Sequence, residues 1–337
     1  MKAFESTSFT SHFRWLLVLA ILIVPQAVQA QWHATVGAQS KDKGHQALAF
    51  LPNEIWIHAG DSITWTFPTD EIHTVSFLKS GQTRLSRLVG CPGFTIGESA
   101  IFDGSICVTT ASLVKGQTFT VTFPIAGNFK LVCLVHANMT AVVHVLPLSE
   151  PLPHDQDFYD DQAAQQRHDL LSDTDKGTDH DGDHERDDSD RTRSPENQVT
   201  AGIGEIVATP GGSQTVSVMR FEEPTKVIHA GETLEWSNSD PVTAHTITFG
   251  VEPANPVPPS ANVTVDADGA RHAIINLPSD SVHSGFIIAS TQDRVGLAQS
   301  PLGVTRFRVT FTHPGVFPYI CALHDDLGMK GEVIVLP

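Results

Sequence analysis

Short stretches in which apolar and polar residues alternate recur along most of the chain after residue 30. A period of two predicts strands that bury one face, and the many β-branched and aromatic residues in these stretches favour the same assignment. Gly, Pro and Asp separate the stretches and predict turns between them. Many short strands joined in this way are typical of a β-sandwich. The clearest predicted strands are residues 32–36, 55–57, 63–67, 73–77, 119–123, 142–145, 204–208 and 215–221.

The alternating pattern occurs twice, in the same order, in the two halves of the chain. A repeat of this length means two copies of one domain. We therefore predict an all-β protein with one sandwich at residues 31–147 and a second at residues 200–337. The second is enlarged by an insertion at 251–303, which either covers the loop at 321–329 or lies at the far end of the domain. The matching segments are 57–61 with 228–232, 119–123 with 307–311, and 127–139 with 315–329.

Residues 148–199 differ in composition from both halves and predict a linker. Between Glu150 and Glu196 there are sixteen acidic and five basic residues, so most of the net charge of −17 lies here. Residues 156–171 can form one helix with Phe158, Ala163 and Leu170 on its apolar stripe. The rest is expected to be a disordered, solvated spacer because it has little apolar surface to bury.

The charge of the linker bears on metal binding and on possible partners. Its carboxylates together with His180 and His184 could weakly hold divalent ions, although a plain spacer is the simpler interpretation. The acidity also argues against nucleic-acid partners, because phosphates would be repelled.

Residues 1–30 have the features of a signal peptide. Lys2 and Arg14 are basic, residues 15–24 form an apolar run, and small residues precede Gln31. The alternative is an uncleaved amphipathic or anchoring helix. No other run has the length of a membrane helix, so we expect an exported protein, periplasmic or secreted, without a membrane span after cleavage.

The segment from 317 to 329 contains three residue types that bind soft metals. Cys321, His324 and Met329 supply a thiolate, an imidazole and a thioether, and His245 at the start of an upstream strand can supply a second imidazole. Two imidazoles, one thiolate and a weak axial thioether form the ligand set of a blue-copper electron-transfer centre.

The first half repeats this set with His73, Cys133, His136 and Met139. Its spacing is C-x₂-H-x₂-M, two residues shorter than the C-x₂-H-x₄-M of the second half. A lone Cys or His is usually a structural residue. Four ligand types in the same order in both halves instead predict two copper ions, one in each half.

These motifs resemble the copper loops of the cupredoxins, the plastocyanin/azurin family; the first loop is similar to that of amicyanin and the second to that of plastocyanin. The resemblance implies Greek-key β-sandwiches, one type 1 copper in each, and electron transfer with a redox protein partner. It also implies that the rings of His136 and His324 reach the protein surface and pass electrons. Thr74 and Thr246 occupy a position where many family members have Asn.

Cys91 and Cys107 have no counterpart in the second half. In an exported protein they favour a disulfide bond. The rival arrangement adds a second disulfide between Cys133 and Cys321, but only free Cys133 and Cys321 explain the repeated His and Met residues.

Two other function classes compete with electron transfer. A copper oxidase or nitrite-reductase-like enzyme requires further ligands, such as His residues beside the Cys or His-x-His pairs, and the sequence has neither at these positions. We therefore expect no enzymatic activity. An exported copper carrier or store needs the same ligands but no redox partner, and the motif alone separates it poorly from electron transfer.

Overall fold

The structure is a computed structural model that describes residues 29–85, 91, 99–172, 197–289 and 304–337. It is all-β apart from one α-helix and a single turn of 3₁₀ helix, as predicted. The predicted signal peptide, except its last two residues, and the linker residues 173–196 with His180 and His184 lie outside the described ranges. None of the helices in those ranges is long and apolar enough to span a membrane.

The first half of the chain, here domain 1, forms a sandwich of two sheets. One sheet has the order β2-β1-β4-β8-β6 and the other β3-β10-β9-β5-β7. The strands are β1 (Gln31–Gln39), β2 (His45–Leu51), β3 (Glu54–His58), β4 (Ser62–Thr66), β5 (Ser76–Phe77), β6 (Ser99–Ile101), β7 (Val108–Thr109), β8 (Thr118–Thr122), β9 (Gly127–Val132) and β10 (Thr140–Leu146).

Alternation along the strands fills the core of domain 1, as the sequence pattern predicts. In β4 and β8, Ile63, Trp65, Phe119 and Val121 are buried, while the Thr residues between them are not fully buried. Trp65 also contacts Phe77 of the opposite sheet, with ring centroids 5.6 Å apart. Burial of these large side chains supplies most of the driving force that closes the two sheets.

The second half, here domain 2, repeats the sandwich. One sheet contains β12-β11-β14-β19-β17-β16 and the other β13-β21-β20-β15-β18. The strands are β11 (Gln198–Thr209), β12 (Gly212–Phe221), β13 (Thr225–His229), β14 (Thr233–Ser239), β15 (Thr248–Phe249), β16 (Thr264–Val265), β17 (Arg271–Ile275), β18 (Val282–His283), β19 (Arg306–Phe311), β20 (Gly315–Ile320) and β21 (Lys330–Leu336).

The described part of the insertion, residues 251–289, belongs to the sandwich itself. Strand β17 pairs in parallel with β19, and β18 pairs with β15. In domain 1, β6 and β7 make the corresponding pairings with β8 and β5. The insertion is therefore an enlarged version of a segment that both domains share.

The two domains share one continuous sheet, which the sequence did not predict. Strand β12 pairs antiparallel with β2, from Thr215 opposite Leu48 to Val218 opposite His45. This pairing joins the larger sheets of both sandwiches into one sheet of eleven strands. Because the edge of each domain is satisfied by the other, the domains are fixed by backbone hydrogen bonds as well as by the linker.

The predicted linker helix is present as α1 (Gln156–Ser172). It is not a solvated element, because Tyr159 and Leu170 are buried. Leu170 packs with Leu51 of β2 and Val216 of β12, and the Tyr159 hydroxyl accepts a hydrogen bond of 3.0 Å from the Trp56 backbone N–H. Phe158, assigned to the apolar stripe from the sequence, is 42% exposed. The helix thus packs against strands of both domains.

The cysteine pairing agrees with the predicted disulfide. Cys91 and Cys107 are bonded, with their Cα atoms 5.6 Å apart. Cys133 and Cys321 are free and buried, so the rival disulfide between them is absent.

Candidate metal centres

Four residues of domain 1 that the sequence singles out come from three neighbouring segments. Cys133 directly follows β9, and Met139 directly precedes β10. The Cys133 backbone N–H donates to the Met139 carbonyl at 3.0 Å, which closes the loop that carries His136. His73 precedes β5 and pairs with Leu113 in an isolated bridge. We call this group centre 1.

The imidazoles and the thiol of centre 1 converge on one point. The Nδ1 atoms of His73 and His136 lie 3.2 Å apart, and Cys133 Sγ lies 3.8 Å from His136 Nδ1. All three donor atoms lie within 4.8 Å of one another and all three residues are buried.

Domain 2 has the same arrangement, here called centre 2. The Nδ1 atoms of His245 and His324 lie 3.1 Å apart, and Cys321 Sγ lies 3.9 Å and 3.4 Å from them, respectively. Cys321 follows β20, Met329 precedes β21, and the Cys321 N–H donates to the Met329 carbonyl at 3.1 Å. The longer loop accommodates a 3₁₀ turn, Asp325–Leu327, that centre 1 lacks.

These distances fit a single bound metal ion. Nitrogen and sulfur donors bind a first-row ion at about 2.0–2.3 Å, so two donors around one ion lie roughly 3.3–3.8 Å apart. In centre 1 the His73–His136 and Cys133–His136 separations are 3.2 Å and 3.8 Å, and all three donors lie within 4.8 Å of one another; in centre 2 the three separations are 3.1–3.9 Å. The thiolate and imidazole donors match the preferences of copper.

Met139 and Met329 are fully buried, each in the same hydrophobic cluster as the Cys of its centre. Their backbones lie beside the Cys residues through the hydrogen bonds described above. Their role as axial ligands stays a prediction.

The Thr residues at the Asn position of the family hold the thiol in place. The Thr74 backbone N–H lies 3.5 Å from Cys133 Sγ, and Thr74 Oγ1 accepts a hydrogen bond of 2.7 Å from Leu134 N. Thr246 makes the same contacts in centre 2, at 3.3 Å and 2.7 Å. The Thr74 N–H is directed to sulfur and therefore makes no hydrogen bond to a neighbouring strand. For this reason β5 begins at Ser76 and not at residue 73 as predicted.

Both thiols favour the ionised form that binds metal. Burial opposes ionisation of Cys133, but the hydrogen bonds and charges of His136 and His73 outweigh it and hold its pKa well below the usual value. Burial likewise opposes ionisation of Cys321, and the charge of His324 and contacts with His245 hold its pKa low. A bound cation replaces the protons that the thiolates and imidazoles otherwise share.

In each centre one glycine lies against the first histidine, and the sequence analysis did not identify these two glycines. Gly37 and Gly202 have positive φ angles of 78° and 77° at irregularities in β1 and β11. A Cβ atom would lie 2.7 Å from His73 Nε2 at Gly37 and 2.1 Å from His245 Nε2 at Gly202. A Gly inside a strand pattern signals a bulge or a close approach, so this feature was detectable in principle.

The centres differ in the groups near the Nε2 atoms of their histidines, on the side of each ring away from the donor Nδ1 atom. In the described part of the chain neither His73 Nε2 nor His245 Nε2 has a hydrogen-bond partner, but only His245 Nε2 has a carboxylate at ion-pair distance. His245 Nε2 lies 3.8 Å from Asp240 Oδ2, which is an ion-pair distance and too long for a hydrogen bond. Burial lowers the pKa of His245, but Asp240 and Cys321 outweigh this and raise it to about 9.

The rings of His136 and His324 are not at the protein surface, contrary to the expectation from the resemblance. They are 2% and 4% exposed, because the two domains face each other at this point. Glu71, which is 6% exposed, lies between them. Its Oε1 is 3.3 Å from His136 Nε2 and its Oε2 is 3.7 Å from His324 Nε2. The expectation that these ring edges are exposed was therefore wrong, and an electron path through His136 or His324 stays a prediction.

Arg220 of β12 connects the loop of centre 2 to domain 1. Its guanidinium donates hydrogen bonds of 2.7 Å to the carbonyls of Leu327 and of Asp42. The position of the centre 2 loop is thus tied to the domain interface.

Some solved structures similar to this chain cover 34–41% of it. They include an oxidised plastocyanin from Dryopteris crassirhizoma (18% identity, 41% of this chain and 99% of that chain, TM-score 0.22). Others are an amicyanin from Paracoccus versutus (19%, 34% and 81%, TM-score 0.24) and a purple cupredoxin from Nitrosopumilus maritimus (20%, 41% and 98%, TM-score 0.20).

The family of copper-binding proteins described as the plastocyanin/azurin family matches residues 37–146 and 207–336. The matched regions contain all eight residues of the two centres and make up most of the chain. The chain therefore belongs to the plastocyanin/azurin family of copper-binding proteins, with two His/Cys/His groups that can hold two copper ions.

Proposed function

We propose that this protein is an exported electron-transfer protein with one type 1 copper in each of two domains, residues 31–147 and 200–337. His73, Cys133 and His136 are the strong ligands of centre 1, and His245, Cys321 and His324 those of centre 2. Met139 and Met329 are the axial ligands. The observation that carries the proposal is the convergence of two Nδ1 atoms and one Sγ atom in each domain.

Bound copper supplies one-electron chemistry by alternating between Cu(I) and Cu(II). The chain supplies a donor set held by strands, by a closed loop and by hydrogen bonds to sulfur, so little rearrangement accompanies a change of charge. Burial of the ligands also excludes water, which would otherwise add ligands to Cu(II).

The alternative of a copper carrier is less well supported. The six strong ligands are at most 4% exposed. A carrier must release its metal to an acceptor, and release here requires the shared sheet and the domain interface to open. An electron needs no such opening, so the burial favours electron transfer over carriage.

The proposal assigns no catalytic reaction. A catalytic copper needs an open position and access for substrate. Within the described ranges, the groups of three close donors are the two buried centres. The partner is a redox protein, and it contacts a surface other than the ring edges of His136 and His324.

Electron exchange with a small inorganic redox reagent tests the proposal. The copper-loaded protein without its signal peptide should take up two electrons per chain reversibly. In a stopped-flow experiment, both centres should be reduced rapidly after mixing. Reduction that takes many minutes, with ready transfer of Cu(I) to a chelator, would contradict electron transfer and support carriage.

A further inference from the structure

Glu71 lies between the two metal centres, although it belongs to domain 1. Its two carboxylate oxygens lie 3.3 Å from His136 Nε2 and 3.7 Å from His324 Nε2. In each ring the Nδ1 atom faces the other ligand His and the thiol. One carboxylate thus contacts a ligand ring of each centre, on the side away from the metal position.

The environment of Glu71 makes these contacts strong. The carboxylate is nearly fully buried, and a buried charge is costly unless it is paired. Across the described residues its ion pairs are with these two imidazoles and involve no Lys or Arg.

A carboxylate behind a metal-binding histidine has two effects on that ligand. It fixes the orientation of the ring with hydrogen on the contacted nitrogen, and it makes the other nitrogen a stronger donor. Loss of such a group commonly weakens metal binding by about 10–100-fold.

We propose that Glu71 is a positioning residue shared by both centres, so that a side chain of domain 1 strengthens metal binding in domain 2. The proposal rests on the ligand assignment under Proposed function. Centre 2 then depends on domain 1, because the carboxylate that contacts His324 belongs to that domain.

The repeat does not provide a second copy of this device. Alignment of His73 with His245 places Thr243 at the position of Glu71. Thr243 has no carboxylate, and its backbone N–H donates to Asp240 at 2.8 Å. A single residue therefore serves both centres across the interface.

Metal titration of centre 2 alone tests the proposal. Cys133→Ser removes the thiolate of centre 1, so Cu(I) bound in competition with a chelator of known affinity reports centre 2. We expect Glu71→Gln in this background to raise the dissociation constant of centre 2 for Cu(I) about 10–100-fold. Gln keeps the shape of Glu but removes its charge.

Glu54→Gln in the same background is the matched control. Glu54 of domain 1 also places a carboxylate oxygen, Oε1, 3.1 Å from a histidine Nε2, but that ring belongs to His144, which is not a ligand. We expect its dissociation constant to stay within about two-fold of the C133S parent. Circular dichroism checks that every variant is folded.

Nitrogen NMR of the histidine rings adds a readout that a general loss of stability would not give. In the metal-free protein, Glu71→Gln should change the tautomer signals of His136 and His324 and leave those of His272, which is distant in the fold, unchanged. An unchanged dissociation constant in folded E71Q, or equal weakening by E54Q, would overturn the proposal alone. A C133S protein that binds no copper at all would overturn the ligand assignment as well.

Discussion

The two metal centres have nearly identical donor geometry but different surroundings. Their Nδ1–Nδ1 distances are 3.2 Å and 3.1 Å. In the described structure, however, His245 Nε2 has the Asp240 carboxylate at an ion-pair distance of 3.8 Å, whereas His73 Nε2 has neither an ion pair nor a hydrogen bond. The two copies thus share the arrangement of the donor atoms, and they differ in the groups near the Nε2 atoms of the histidines.

This difference has a direct consequence for metal affinity. Among the described residues, centre 2 has a carboxylate near the Nε2 atom of each histidine, Asp240 and Glu71, and centre 1 has only Glu71, near His136. Carboxylates in this position strengthen imidazole ligands. We therefore expect centre 2 to bind copper more tightly and to fill first in a titration.

The largest effect is expected from substitution of the glycines that lie next to His73 and His245. Gly202→Ala places a Cβ atom 2.1 Å from His245 Nε2 at a φ of +77°. It should lower the free energy of unfolding by about 2–4 kcal/mol through strain and overpacking and should disrupt centre 2. Gly37→Ala, with a contact of 2.7 Å, should have a smaller effect on centre 1. Denaturant unfolding and copper content measure both.

Gly231→Ala is the control for these variants. Gly231 also has a positive φ, +95°, but no atom lies within 4 Å of the added Cβ. It should cost about 1 kcal/mol and leave both centres intact. An equal effect at Gly231 and Gly202 would mean that the contact with His245 has no importance.

Removal of the disulfide should destabilise domain 1 without changing the metal centres. The bond joins residues 16 apart, and domain 2 has no equivalent. In the chain-entropy model, Cys91→Ser with Cys107→Ser costs about 3 kcal/mol. Denaturant unfolding followed by tryptophan fluorescence should show this loss. Altered copper spectra in the folded variant would show that the disulfide also shapes centre 1.

Asp240→Asn tests the difference between the centres directly. It should weaken copper binding at centre 2 about 10-fold, because the negative charge near His245 is lost. Copper competition in the Cys133→Ser background measures centre 2, and the Cys321→Ser background should show centre 1 unchanged. Equal weakening of both centres would contradict an effect specific to His245.

The smallest effect on stability is expected from the axial positions. Met329→Leu and Met139→Leu keep the buried volume, so each should cost less than about 1.5 kcal/mol. Each should also raise the reduction potential of its own centre, because the axial ligand tunes this potential and loss of an electron-pair donor destabilises Cu(II) more than Cu(I). Redox titration of each variant checks this. No change in potential after Met139→Leu would remove Met139 from the ligand set.

The sequence was sufficient to predict the sandwiches and the residues that converge. Cys133 and His136 lie on one short loop, and the same pattern recurs at Cys321 and His324, so local spacing and repetition carry the information. The alternation of β4 and β8 likewise predicted which faces are buried. These features depend on contacts within one domain and on residue types with specific chemistry.

The relation between the domains could not be predicted in this way. The pairing of β2 with β12 depends on backbone edges, which any sequence can form, and residue spacing does not encode it. Glu71 was unremarkable in the sequence, since its importance arises only when His324 of the other domain lies opposite. For the same reason the rings of His136 and His324 were expected at the surface.

Copper quantification combined with optical spectra tests the central claim, that each domain holds its own copper through one thiolate and two imidazoles. The protein without its signal peptide should bind two copper ions per chain and show an intense thiolate-to-copper absorption. Cys133→Ser and Cys321→Ser should each retain one copper with that absorption. A colourless copper-loaded protein, or loss of both chromophores in either single variant while it remains folded, would contradict the account.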